Sequence, residues 1–290
     1  MPWFTGCVVD PSELGDSELS EGSSYANGRS YDLLPPGRWW DCFQDAGLNR
    51  LIAKLDADNP SLAVALARYD RTRAELGLAR ADQYPRVTGS GFAENRRDSA
   101  SSIFVPPDRT YNEFRAALNL EYEIDLWGRV RQAVEVAQAD FEAAESDWAA
   151  TRLSLRAELA RTYYNLRFID AEIGVLRRSL EVRKENRRLI DARVRGGETT
   201  DLDLARAETE LEATRAQLLS LERTRATYFN ALAFLVGEVP AAFHLPKGGI
   251  VAPPSIPSGL PSQLLTRRPD IAAADARMRA AASQIGVVRA

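Results

Sequence analysis

Between Gly128 and Gly196 the chain keeps a helical pattern without a break, and no other feature restricts the fold as much. A helix of about 66 residues spans on the order of 100 Å at 1.5 Å rise per residue, more than an ordinary globular domain encloses. Its apolar residues recur every seven. Val134, Phe141, Trp148, Leu155, Ile169, Leu176 and Ile190 share one row, and Leu159, Leu166, Ile173, Leu180 and Val194 stand four residues after the corresponding positions. Thr162, Arg183 and Arg187 interrupt the seam. A sustained seven-residue period winds a helix around a partner, with the neighbouring Arg and Glu residues as solvated flanks. The partner follows in sequence: over about 200–236 a second helix puts Leu204, Leu211, Leu218 and Leu232 on one row and Leu221, Tyr228 and Leu235 on another. Arg195, Gly196, Gly197 and Glu198 make the reversal, and Thr199, Thr200 and Asp201 offer N-caps for the returning helix. Residues 128–237 therefore read as a long antiparallel coiled-coil hairpin with its tip near 195–203.

Upstream the period drops from seven to two. Phe114, Ala116, Leu118, Leu120, Tyr122 and Ile124 alternate with residues that are mostly polar, among them Glu113, Arg115, Asn119, Glu121 and Glu123. That alternation predicts a strand of about bilayer-crossing length with one apolar and one charged face. Residues 86–93 alternate more weakly, and the segment through Pro106 and Pro107 is turn-rich, so 85–126 read as a strand hairpin with a long loop. Periodicity alone leaves two environments open, a membrane barrel or a soluble core covering one face. Of the rest, 1–45 is rich in Ser, Gly, Pro and Asp and reads as an extended arm, while 46–84 carry the first helices, with Asn59 as cap and Pro60 at the first helical position. Residues 238–267 read as an irregular Pro- and Gly-rich connection, and 268–290 as a last helix starting near Pro269. The fold class is mainly α with one β-hairpin.

The last helix repeats the first. At an offset of 209 residues Pro60 meets Pro269, Ala63, Ala65, Ala67 and Arg68 meet Ala272, Ala274, Ala276 and Arg277, and Gly77, Arg80 and Ala81 meet Gly286, Arg289 and Ala290. Leu62 and Leu76 correspond to Ile271 and Ile285. Alanine-rich helices resemble one another, so the matched Pro, Gly and Arg positions carry the repeat. One unit then consists of helix, strand hairpin, long helix and returning helix, and the chain holds one unit and the opening of a second.

Composition removes several function classes. A net charge of -4 lacks the cation excess that phosphate binding needs, so no nucleic-acid partner is expected. Cys7 and Cys42 are the only cysteines and His244 the only histidine, too few for a zinc site, a disulfide framework or histidine-based catalysis. No run approaches the roughly 18 apolar residues of a membrane helix, which leaves a membrane strand open. The acidic residues lie at helical surface spacing and no phosphate-cradling glycine motif is present, so neither an enzyme nor a cofactor is expected.

Four segments carry a resemblance: 39–51 (WWDCFQDAGLNRL), 59–85 ending in ADQYP, 123–131 (EIDLWGRVR) and 260–271 (LPSQLLTRRPDI). Together they resemble the outer-membrane efflux protein family, TolC-like, in its lipoprotein branch, over nearly the whole chain. The resemblance implies a homotrimer in which each subunit gives four strands to a shared barrel and long helices to a periplasmic duct, with Phe114, Ala116, Leu118, Leu120, Tyr122 and Ile124 facing lipid. It implies passive export without chemistry. It also implies docking of a periplasmic adaptor and an inner-membrane pump at the hairpin tips, here Arg195, Gly196, Gly197, Glu198, Thr199, Thr200 and Asp201. Cys7, preceded by Thr5 and Gly6, matches the acylated cysteine that anchors this branch in the outer membrane of a Gram-negative bacterium. Phe4 stands where Leu is usual and only six residues precede Cys7, so either a signal segment lies upstream of Met1, which is the expectation, or Cys7 is an ordinary free cysteine. Two strands in place of four mark a truncated form, which by itself is expected to give no stable large pore. The alternative is a periplasmic coiled-coil adaptor or scaffold, for which the strand at 113–125 has no evident use.

Overall fold

The computed structural model describes residues 38–97, 110–246, 248–249 and 267–290. Cys7, and the lipid anchor expected there, lies outside these residues, as does 250–266 of the connection. A 3-10 turn at Trp39–Phe43 precedes α1 (Ala46–Asp58) and α2 (Pro60–Ala81), followed by β1 (Arg86–Arg97), β2 (Thr110–Glu121), α3 (Arg129–Arg195), α4 (Asp201–Leu235) and α5 (Pro269–Arg289). Two compact units share these elements: one holds 68–146 and 271–290, the other, as far as described, 38–67 and 147–270. None of the described helices is long and apolar enough to cross a membrane.

The second unit is built where α1 meets the middle of α3. Asp45 caps α1, its Oδ1 accepting from the Gly47 and Leu48 amides at 2.7 and 3.1 Å. Its other oxygen accepts the Tyr163 hydroxyl at 3.0 Å, so one carboxylate starts α1 and holds a fully buried α3 side chain. Leu48, Leu51, Ile52 and Leu55 follow at helical spacing and pack into one cluster with Leu159, Leu166, Leu232 and Val236. Each fully buried Leu or Ile contributes about 1.5–3 kcal/mol. Residues 39–43 are not part of an extended arm. Trp40 is drawn into the same cluster and Arg156 stacks over its ring at 4.7 Å, which closes this stretch into a helical turn.

Asn59 works as the sequence suggests and does more. Its side chain accepts from the Leu62 amide at 2.9 Å, capping α2, and donates to the Leu235 carbonyl at 2.7 Å at the end of α4. Its own amide closes α1 on the Leu55 carbonyl at 3.1 Å. Beside it, α4 ends in a Schellman turn, with Gly237 donating to Phe234 and Glu238 to Ala233. The heptad seam is confirmed over its distal part: Ile169, Ile173 and Leu180 form a second cluster with Leu211 and Leu218. Where Arg183 and Arg187 interrupt it, they pair across the hairpin with Glu210 at 2.5 Å and Glu208 at 2.7 Å.

Asp56 accepts hydrogen bonds from Arg152 at 3.1 and 3.2 Å and from Arg156 at 2.5 and 2.9 Å. Burial pushes its carboxyl up, but the hydrogen bonds and charges of Arg156 and Arg152 outweigh this and hold it below the ordinary value. The stability it supplies is present above the unfolded carboxyl pKa of about 3.9 and is lost as pH falls through the lower folded value. Asp56→Asn is expected to cost about 2 kcal/mol at neutral pH. It should also flatten the fall in unfolding free energy below about pH 4, read from urea titrations at several pH values.

Gly197 and Gly237 provide a second check, because both adopt φ +72. A Cβ on Gly197 meets nothing within 4 Å, whereas on Gly237 it would lie 2.3 Å from the Asp58 carbonyl oxygen. Gly197→Ala should cost about 1 kcal/mol, the left-handed penalty alone, and Gly237→Ala clearly more, compared by thermal and urea unfolding.

Candidate functional site

β1 and β2 form a two-stranded antiparallel sheet of 12 residues per strand. Its register pairs Val87 with Leu120, Gly89 with Leu118, Gly91 with Ala116 and Ala93 with Phe114. Directly paired residues share a face, so Val87, Phe114, Leu118 and Leu120 fall on one side. The opposite face carries the pairs Thr88–Asn119, Phe92–Arg115 and Glu94–Glu113, with the Arg115 guanidinium 5.2 Å from the centre of the Phe92 ring. Among the described residues nothing covers the apolar face: Phe114 is 78% exposed and Leu118 82%. Gly89 leaves room beside Leu118, whose Cδ2 would be 3.6 Å from an added Cβ.

Tyr122 and Ile124 do not belong to the strand. β2 ends at Glu121, paired with Arg86, and the next partner would be Pro85, which has no N–H to donate to a ladder. Beyond the end the chain turns into α3 through a charged junction. The Asp125 carboxylate accepts from the amides of Val130 at 3.2 Å and Arg131 at 3.0 Å, and Gly128 takes φ +83. Arg129 grips Glu123 through two bonds at 2.7 and 2.5 Å. Around this foot Tyr84, Tyr122, Ile124, Leu126 and Trp127 all stand exposed. The EIDLWGRVR segment thus ties the sheet to the start of α3. Sequence reading singled it out without assigning it that work, although an Asp shortly before a helical run is a capping signal.

At the other end of α3, Arg195, Gly196, Gly197 and Glu198 make the reversal as a second Schellman turn, with Gly197 donating to Val194 at 3.0 Å and Glu198 to Arg193 at 2.9 Å. Thr200 is the N-cap of α4 and forms a capping box with Asp203. The Thr199 and Thr200 hydroxyls donate to the Asp203 carboxylate at 2.7 and 2.8 Å and hold it below its ordinary pKa. Asp201, one of three cap candidates, is the first residue of α4 instead. Arg195 is tied back to Asp191, and Leu202 extends into solvent beside the turn. The tip is a polar, hydrogen-bonded knuckle with one exposed leucine. His244 lies on the surface with Nδ1 2.8 Å from the Ala242 carbonyl oxygen, and Cys42 is a half-buried free thiol.

Two groupings were invisible in the linear sequence: Asp56 with Arg152 and Arg156, and Asp45 with Tyr163. Their members lie about 100 residues apart, and only the packing of α1 on α3 joins them.

Comparison with known proteins agrees with this architecture. The pyoverdine export outer membrane protein OpmQ of Pseudomonas putida is 33% identical over 274 residues, 89% of this chain and 56% of OpmQ. The toluene efflux pump outer membrane protein TtgC of Pseudomonas putida is 30% identical over 280 residues, 94% of this chain and 57% of TtgC. Among solved structures, the Campylobacter jejuni CmeC outer membrane channel superposes with a TM-score of 0.80 at 25% identity, covering 92% of this chain and 58% of CmeC. The chain thus spans a little over half the length of the relatives it matches. Residues 51–238 match the model of the outer membrane efflux protein family, and the chain belongs to that family.

Proposed function

We propose that this chain supplies the first repeat of an outer-membrane efflux channel subunit, a passive duct that acts as a homotrimer with a periplasmic adaptor and an inner-membrane pump. The observation that carries this reading is the strand ladder: 12 paired residues per strand with every large aliphatic side chain on one uncovered face. About 9–11 residues of tilted strand cross the hydrocarbon layer, and aromatic residues gather where a barrel meets the interface, as Tyr84, Tyr122 and Trp127 do at the foot of this sheet. A coiled-coil scaffold has no use for such a face.

In this reading α3 and α4 form part of the periplasmic wall, and the polar knuckle at 195–203 is the adaptor contact. No reaction is catalysed. The relatives named for pyoverdine export and for toluene efflux match the chain at similar identity over similar lengths, which supports placing substrate choice in the pump rather than in this frame.

The reading is tested with an environment-sensitive dye on single cysteines at Leu118 or Asn119, Cys7 and Cys42 being replaced by Ser. In proteoliposomes the dye at Leu118 should shift to the blue and be quenched by lipid-borne nitroxide, while the dye at Asn119 should not. Equal responses at the two positions would remove the membrane assignment.

A further inference from the structure

The charged junction at the foot of the sheet encloses a cleft for which passive export has no use. It has a volume of about 860 Å³, runs from the end of α2 across the last rung of the ladder to the first turn of α3, and lies wholly within one compact unit. Five charged side chains line it, Asp82, Glu121 and Glu123 against Arg86 and Arg129, with Tyr84 and Tyr122 beside them. Three carboxylates facing two guanidiniums leave one negative charge in excess.

These groups are unequally engaged. Arg129 and Glu123 close on each other through two bonds, at 2.7 and 2.5 Å. Arg86 spends a single donor on Asp82, at 3.4 Å, and both of these side chains are exposed. The Glu121 carboxylate, directly across the ladder from Arg86, has no ion-pair partner among the described residues. A guanidinium carries five donors in a fork, so most of Arg86 and all of the Glu121 carboxylate are open to a ligand, on neighbouring strands. The end of α3 adds little, because Asp125 already holds the Val130 and Arg131 amides. An anion in this cleft must therefore be held by side chains.

A simple anion meets the excess carboxylate, and a simple cation leaves the Arg86 fork unused. A zwitterion satisfies both. Phosphate matches the guanidinium fork, and a primary ammonium gives its N–H donors to Glu121 and Asp82, which a trimethylammonium lacks the hydrogens to do. The surroundings point to a lipid as the source. Tyr122 lines the cleft two residues beyond Leu120, and Leu120 pairs with Val87 on the rung next to Arg86 and Glu121, both of them exposed on the uncovered face. An acyl chain leaving the cleft has that face to lie on.

We infer that the cleft binds one lipid headgroup, phosphoethanolamine, with its phosphate on Arg86, its ammonium on Glu121 and Asp82, and its acyl chains along the face that carries Leu120 and Leu118. The inference deepens the duct reading and rests on it for placing this foot at a membrane surface.

The test uses the full chain with the dye on a single cysteine at Leu118, Cys7 and Cys42 being replaced by Ser. It is reconstituted in phosphatidylcholine bilayers holding equal small fractions of acyl-nitroxide lipid with an ethanolamine, a choline or a glycerol headgroup. The ethanolamine lipid should quench with an association constant about threefold above the other two, the worth of one half-exposed ion pair. Glu121→Gln and Arg86→Gln should each remove this preference. Both positions are exposed, so the variants should keep the parent's melting temperature and its quenching by the choline lipid. Equal quenching by all three lipids in the parent chain, a preference for the glycerol headgroup, or an ethanolamine preference that survives both substitutions overturns the inference. So does loss of the preference to soluble glycerophosphoethanolamine at the concentration of the labelled lipid, because the acyl chains then play no part. A failure of the duct reading appears instead as no quenching at Leu118 by any of the three.

Discussion

A helix as long as α3 persists in water only if its apolar rows are covered along most of their length, because tertiary packing supplies most of the stability of any protein helix. Cover over the distal part comes from α4, through a seam of Ile and Leu that gives way to Arg183–Glu210 and Arg187–Glu208 toward the tip. In the middle it comes from α1 and the Trp40 turn. Over the first turns it comes from α2 and α5. The short elements are thus arranged by the demands of one long one, which explains why residues far apart in sequence converge on α3.

Charge serves this arrangement in two different ways. Near the tip the pairs are half-exposed and substitute for apolar layers, setting which turn of α3 meets which turn of α4 more than they add stability. Around Asp56 and Asp45 the carboxylates are less exposed and engage several donors, so they act as fixed pegs between elements. The junction at Asp125 is a third variety, in which a carboxylate starts a helix and fixes the direction in which the sheet leaves it.

Features set by local rules were legible in the sequence. The seven-residue period gave the hairpin and its rows, Gly196 and Gly197 gave the reversal, and Asn59 before Pro60 gave a helix boundary. The two-residue period gave β2 as far as Glu121 but overran it, since alternation continues through Tyr122 and Ile124 while the ladder needs a donor that Pro85 cannot supply. Trp40 stands at the end of a stretch whose Ser, Gly, Pro and Asp content reads as an arm, and the cluster that buries it forms only when α1 and α3 close around it. The matching of Gly77 with Gly286 was visible as a repeat. That Gly286 is crowded and Gly77 open depends on neighbours, and spacing carries no information about neighbours.

Asn59 joins the end of α1, the start of α2 and the end of α4 through one buried residue. Three helix ends are therefore fixed to a common origin, and none of these helices can change length there. A single inserted residue would rotate everything beyond it by about 100 degrees and break all three bonds. Length is free only at the far end of the hairpin, where seven residues added to α3 and seven to α4 preserve the seam and carry the tip outward by roughly 10 Å. The reach of the hairpin can thus be adjusted in whole heptads while its root stays unchanged.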